Sequence, residues 1–484
     1  MVPSRTAERG QQGALLVLST GALMMIVDET IVNVALPSIQ QDLGIAAHDL
    51  SWVVNAYLIA FGGLLLLAGR LGDAFGRARV FRAGLALFTL ASLACALADD
   101  AGTLVAARFV QGAGGALTSA SVLSLIVGLF PDPAQRARAL GVYGFVTAAG
   151  ASLGLLLGGV LTQALSWHWV FLVNVPLGVS VGVAAARLVP RDRPSAHAGR
   201  PDVLGAVLVT GGLMLLVGTI VVSGDTGWTT RSLLTGAAGL LALSGFVLRQ
   251  QHATAPLLPL ALLRSRVLSG GGAVIALFVA GMFTQFFLGA LYLQQVLGFR
   301  PGQVGLGFLP VAVSIGVLSL VASPVLIRRV GPRAVLLPSL AAVVLGLGLL
   351  ARVPVDGAYA RDVLPALLLL GAATGLAFPA LMGLTMSGSA PEDAGLASGV
   401  VTTAQQAGGA LGLAVTSAVA AATTSAALRE GSPALTALTE GYRTAFGVAA
   451  LAVTLALLLA LVVFRPRLTP AGPTAPRAAA QPPS

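Results

Sequence analysis

Lysine is absent from this 484-residue chain, and all 28 of its basic residues are arginine. Cysteine occurs once, histidine four times, and charged residues make up only 10% of the chain, against roughly 25% in soluble domains. Each shortage excludes something. A lone Cys95 rules out an intrachain disulfide, and inside an apolar run it reads as a small packed residue. His48, His168, His197 and His252 fall in loops or at the ends of apolar runs, and no HExxH, P-loop or cysteine-ligand pattern accompanies them, so no metal, cofactor or nucleotide-driven chemistry is expected. The MSGSA segment, residues 386–390, has no nearby histidine to activate a serine. What fills the chain instead is apolar: 56% hydrophobic residues and a mean hydropathy of +0.91. No water-soluble fold hides that much apolar surface. The chain therefore reads as an all-α polytopic membrane protein, not an enzyme, that draws on an ion gradient.

A membrane-crossing helix needs about 20 apolar residues. Runs of that kind, bounded by Arg, Asp, Pro and Gly clusters, predict fourteen spans: 14–36, 51–70, 80–98, 103–127, 139–163, 168–188, 202–222, 232–250, 268–293, 303–325, 333–351, 363–387, 397–423 and 443–464. The first resembles a signal peptide in outline, but acids at 28 and 29 interrupt it and many spans follow, so it is expected to stay as an uncleaved helix. With the N-terminus placed in the cytoplasm, 21 arginines fall in inside segments and six in outside loops, leaving Arg108 within a span. That bias predicts a cell-membrane protein with both termini cytoplasmic. It also accounts for the net charge of +10 without nucleic acid as a partner. The Pro- and Ala-rich residues 465–484 read as a disordered cytoplasmic tail.

The sequence repeats itself weakly. A Pro-acid turn followed by a Gly-studded helix occurs at 129–161 and again at 389–415, aligning Pro131 with Pro391; GDAFGRARVF, 72–81, is echoed at 326–336, aligning Gly76 with Gly331. A displacement of eight spans means six plus two inserted ones. The expected division is a six-helix bundle over 1–190, an inserted helix pair over 191–266, and a second six-helix bundle over 267–464. Parallel duplication of this kind is transporter architecture, with substrate near the midplane between halves.

Four stretches carry the chemistry. IVDETIVNVALP, Ile26 to Pro37, places Asp28 and Glu29 within the first span, where an ionisable group costs at least about 2.5–3.5 kcal/mol and marks a functional site by default. RFVQGAGGA, Arg108 to Ala116, sets Arg108 and Gln111 three residues apart on one helix face. A helical rise of ~1.5 Å per residue puts Asp28 ~4–5 Å, Glu29 and Gln111 ~6 Å and Arg108 ~10 Å outward of the midplane, so an acid–Arg–Gln cluster is geometrically allowed. A surface-seeking Arg108 is the alternative. GRLGDAFGRARVF, from Gly69, has Gly72 and Gly76 to permit a tight turn, Asp73 to bond helix amides or an arginine, and Arg77 and Arg79 beyond. GASLGLLLGGV sets Gly150, Gly154 and Gly158 in one smooth stripe, with Gly159 beside it, for close helix approach.

Together these motifs resemble the major facilitator superfamily, and within it the fourteen-helix drug:proton antiporters, over nearly the whole chain. The resemblance implies a monomeric, cofactor-free secondary transporter that exchanges protons for a small lipophilic substrate. It makes the Gly69–Arg79 loop a conformational latch, the Arg108 stretch a proton-coupling signature and the glycine stripe an antiporter signature. It selects Asp28 as the cavity acid and leaves Glu29 as an extra, paired with Arg108 or serving a second cation. One position departs from the pattern: Leu155 stands where the family has Pro, which keeps a proton symporter or importer open. A dedicated exporter of one endogenous metabolite and a non-transporting sensor are the other readings. WHWVFLVNVPLG, Trp167 to Gly178, resembles a further family segment and reads as an interfacial aromatic belt.

Overall fold

A computed structural model describes residues 5–46, 49–130, 132–190, 192, 201–253, 256–258, 260–388 and 394–465. The aligned prolines 131 and 391 and the tail from 466 lie outside them.

Among the described residues fourteen long helices follow one another: α1 Arg5–Leu43, α2 Trp52–Phe75, α3 Arg77–Ala96, α4 Ala101–Leu129, α5 Pro133–Ala164, α6 His168–Leu188, α7 Val203–Thr226, α8 Thr230–His252, α9 Arg266–Val296, α10 Pro301–Val330, α11 Pro332–Leu350, α12 Tyr359–Met386, α13 Ala394–Arg429 and α14 Ala434–Val463. Each expected span falls on one of them. Several helices overrun the apolar run by a turn or more, α1 and α13 most of all. Asp100, Asp132, Asp202, Thr229 and Ser265 accept a backbone N–H at the starts of α4, α5, α7, α8 and α9. Hydropathy gives no sign of the π-helical turns at Tyr292–Val296, Leu318–Ala322 and Tyr359–Val363.

Helix pairing repeats with the displacement of eight. α3 packs on α4 as α11 packs on α12; α1 on α5 as α9 on α13; α2 on α4 as α10 on α12; α3 on α6 as α11 on α14. The α2–α3 and α10–α11 junctions each turn on a single left-handed glycine, Gly76 at φ 95° and Gly331 at φ 87°. No L side chain adopts that backbone cheaply, so both positions take glycine for the same reason.

Two seams join the six-helix sets, α2 against α13 and α5 against α10. α7 lies on the first seam, touching both α2 and α13, and α8 touches α7 with most of its surface left for lipid. Thr210 of α7 stands over Gly63 of α2, and Ala418 of α13 over Gly224 of α7. The inserted pair is tied down where it leaves the bundle. Arg70 donates to Pro256 O at 2.8 Å, and Asp202 accepts from Arg249 at 2.6 Å and Gln250 at 3.0 Å.

At the end of the bundle away from the Gly76 turn, the two sets meet directly. Gln294 donates to Val34 O at 3.0 Å, Gln295 to Gln40 at 3.0 Å, and the Gly302 amide to Gln163 at 2.9 Å. Gln294 and Gln295 sit in the first π-helical turn, whose swelling lets consecutive residues reach α1.

Candidate functional site

Asp28 and Arg108 lie at the centre of one buried polar cluster in the first bundle. Asp28 and Arg108 are fully buried, and Arg108 Nη1 donates to Asp28 Oδ2 at 2.6 Å. Gln111 Nε2 and Asn174 Nδ2 each donate to Asp28 Oδ1 at 2.7 Å. Gln111 Oε1 accepts from Arg108 Nη1 at 2.7 Å, and its amide also donates to Ser92 Oγ at 2.8 Å. Arg108 Nε donates to Val53 O at 2.9 Å. The guanidinium carbon lies 4.4 Å from the Tyr57 ring centroid and 5.7 Å from that of Phe171. Five helices therefore contribute to one network: α1, α2, α3, α4 and α6.

Local sequence explains why they come so close. A Cβ on Gly112 would meet the backbone of Tyr57, and one on Gly114 would lie 2.5 Å from Phe88 N. Glycine at both positions lets α4 press onto α2 and α3, and so brings Arg108 and Gln111 within reach of α1. Arg108 thus turns inward to Asp28 and away from any surface.

The adjacent acids part company. Glu29 is half-buried and takes no arginine within ion-pair distance. Gln406 of α13 lies near its carboxylate. The expected Glu29–Arg108 pairing does not form; Arg108 pairs with Asp28.

The loop motif divides in the same way. Asp73 bonds Arg77 at 3.0 Å, whereas the first amides of α3, those of Arg77 and Ala78, donate at 2.6 and 3.0 Å to Asp192. Gly72 faces the Arg77 side chain, Gly69 faces open space and Arg79 is exposed. In the glycine stripe, Gly150 meets Leu23 and Ile26, Gly154 meets Val27 and Thr30, and Gly158 meets Ile31, all on α1. Gly159 faces the other bundle instead, where an added Cβ would lie 2.7 Å from Pro301 O. Leu155 is buried at the same seam, its carbonyl under Gly305.

Sequence reasoning missed Asn174, Ser92, Tyr57, Asp192 and Gln406. Asn174 lay in the segment read as an aromatic belt, and a lone asparagine in an otherwise apolar span was the signal available. Gln406 had a similar signal, two consecutive glutamines in an apolar run. Cys95 packs at the edge of the network, its Sγ 3.6 Å from Gln111 Oε1. Among the described residues no His, Cys, Asp and Glu cluster fits a metal ion.

Among the described residues thirteen helices are long and apolar enough to cross a membrane, and their pairing, repeated in two six-helix sets with an acid–arginine network in the first, defines a two-bundle membrane transporter. The Major Facilitator Superfamily model matches residues 18–413, and the chain belongs to that family. It is 39% identical over 470 residues to a puromycin resistance protein of Streptomyces alboniger, covering 95% of this chain and 92% of that one. It is also 39% identical over 464 residues to a cephamycin export protein of Amycolatopsis lactamdurans, with 95% and 94% covered. Among solved structures, the POT family transporter PepTSo superposes with a TM-score of 0.67 over 93% of this chain and 98% of its own, at 14% identity, a likeness of fold alone.

Proposed function

We propose that this transporter is a proton-coupled antiporter that exports lipophilic, cationic antibiotics across the cell membrane, with both termini in the cytoplasm. Export is supported by the near-full-length relatives named for antibiotic resistance and export. Proton coupling is supported by the network around Asp28, the single observation that carries it. A carboxylate buried against one arginine, one glutamine and one asparagine is a two-state element. Ionised, it satisfies Arg108; neutralised, it leaves a buried guanidinium seeking other partners, and the packing of α1 against α4 must respond. Residues 1–190 and 267–464 act as the two rocking units, and 191–266 as the inserted pair. The Gly76 loop, with Gly69, Gly72, Asp73, Arg77 and Arg79, serves as latch, and the α5 stripe as the pivot against α1. The protein works as a monomer and needs no cofactor beyond the proton gradient.

Relatives named for single compounds, puromycin, cephamycin and tetracenomycin C, favour a second reading within this one: a dedicated exporter of one metabolite made by the producing cell.

Inverted vesicles holding an acidic interior test the coupling. Addition of a transported antibiotic is expected to release protons from the lumen as drug enters. Drug and protons moving in the same direction would overturn antiport, and Asp28→Asn with full proton-driven transport would remove Asp28 as the coupling acid.

A further inference from the structure

The seam between α2 and α13 carries buried polar groups that the protein does not satisfy. Ser51 Oγ and both amide atoms of Asn55, at the start of α2, and Ser417 Oγ on α13 have no hydrogen-bond partner among the described residues. Ser51 and Asn55 are fully enclosed, and Ser417 is 6% exposed. Buried polar groups are as a rule paired, so four such atoms along one seam need a reason. Helix register places them on facing sides. Gly62 of α2 meets Gln406 and Leu66 meets Gly399, so these positions mark the faces that α2 and α13 turn to each other. At about 100° per residue, Ser51 and Asn55 fall within about 20° of Gly62, and Ser417 within about 20° of Gln406. Numbers rise along α2 as they fall along the α13 positions it meets, so the two helices run antiparallel. Ser51 and Ser417 each lie eleven residues from the Gly62–Gln406 contact, about 16 Å along the helix toward the end away from the Gly76 turn.

This stretch is enclosed from the side by α7. An added Cβ on Gly218 would lie 3.3 Å from the Trp52 ring, and one on Gly224 would lie 2.7 Å from Ala418. The α5–α10 seam is built differently: the Gly302 amide donates to Gln163 at 2.9 Å, and Gly159 and Gly305 bring backbone onto backbone. The turn of α2 between Ser51 and Asn55 also holds Arg108, whose Nε donates to Val53 O at 2.9 Å. A shift of the seam therefore moves a partner of the buried network. Closing the seam takes four polar atoms out of water with no bond in return, which is unfavourable, and parting it returns them to water.

We infer that this half of the α2–α13 seam is a gate biased toward opening, and that Ser51, Asn55 and Ser417 set the balance between the conformation in which this end is closed and the one in which it is open. Their unpaired groups keep the closed state from becoming too stable to leave. The inference rests on the proposal that the two bundles rock, and is independent of proton coupling.

Distances across this end test it. Spin labels at Asp99→Cys and Glu430→Cys, exposed positions beyond α3 and α13, are placed in a Cys95→Ser background of the full-length protein. Double electron–electron resonance in detergent then reads a closed and an open population, with and without a transported antibiotic. Asn55→Leu, similar in size and apolar, is expected to shift their ratio about tenfold toward the closed distance, the scale of one unpaired buried polar group. Ser51→Ala and Ser417→Ala are expected to shift it the same way by less. Ser19 supplies the control: its Oγ is likewise buried and unpaired, but it lies inside the first bundle, one turn from the Leu23 that meets Gly150 of α5. Ser19→Ala is expected to leave the ratio as it is. Melting temperatures verify that each variant is folded. A folded Asn55→Leu protein whose ratio is unchanged or shifted toward the open distance overturns the inference, as does a Ser19→Ala shift of equal size. A single distance in every protein, unmoved by antibiotic, overturns the rocking of the bundles itself.

Discussion

Arg108 is fully enclosed, and its position depends on what surrounds it. An unpaired buried charge is costly, and breaking a buried pair by removing one partner costs about 3–5 kcal/mol. Asp28→Asn is therefore expected to lower the melting temperature in detergent and to abolish proton-driven transport. Arg108→Gln alone is expected to destabilise as well, by leaving the Asp28 carboxylate with only Gln111 and Asn174 as donors. The double variant Asp28→Asn, Arg108→Gln should regain more than half of the combined loss, because neither charge then remains to be satisfied. Strictly additive losses in that cycle would show that the pair contributes no coupling energy. Asn174 belongs to the same argument: its amide donates to Asp28 Oδ1 at 2.7 Å.

At the scale of the helix, close approach sorts the glycines. Gly158→Ala drives a methyl into the Ile31 carbonyl, and Gly154→Ala drives one to 2.8 Å from Val27 O. Both are expected to cut folded yield sharply, by the 1–3 kcal/mol typical of overpacking. Gly69→Ala meets nothing within 4 Å and replaces glycine inside α2, so it is expected to stabilise by about 0.5–1 kcal/mol. Thermal melts of the three variants check the order, and equal losses at 69 and 158 would refute it. The glycine stripe was legible because period and residue type together demand proximity. That Gly69 plays no packing part was not, since a motif does not say which of its glycines meets a neighbour. The inserted pair has its own pH signature. Burial alone would raise the Asp202 carboxyl, but bonds from the Gly205 amide, Arg249 and Gln250 outweigh it and hold Asp202 below the ordinary value. A depressed folded value means that the stabilisation is present above the unfolded value of about 3.9 and is lost as pH falls further. Asp202→Asn is expected to remove that acid-side dependence from the melting profile.

For the molecule as a whole, the bundles meet at one end through Gln40 and Gln295 at 3.0 Å and Gln163 and Gly302 at 2.9 Å. Alternating access requires these contacts to part. With the native cysteine removed by Cys95→Ser, a Gln40→Cys, Gln295→Cys pair joined by a short bifunctional thiol reagent is expected to block transport, and a cleavable spacer to restore it on reduction. Full transport by the cross-linked protein would mean that this end does not open. α7 spans the α2–α13 seam and has no matching partner on the α5–α10 seam among the described contacts, so the two seams are covered unequally.

Hydrophobic run length, arginine placement and the displacement of eight spans are one-dimensional quantities. The sequence by itself therefore determined fourteen helices, their duplication and the family, because the bilayer accepts only helices of a minimum apolar length. It also narrowed the charged centre to Asp28, Glu29, Arg108 and Gln111, since charge is too expensive at that depth to occur without use. Only the tertiary structure decided how those four are shared. Asp28 and Glu29 are neighbours in sequence, but successive helix positions diverge by about 100°. One therefore meets α4 and its arginine, and the other makes no ion pair with it and lies near Gln406, more than 370 residues away in the chain. Which acid meets which partner is a matter of helix rotation and packing, and that is set by Gly112, Gly114, Gly154 and Gly158 acting together, not by any residue's own neighbours.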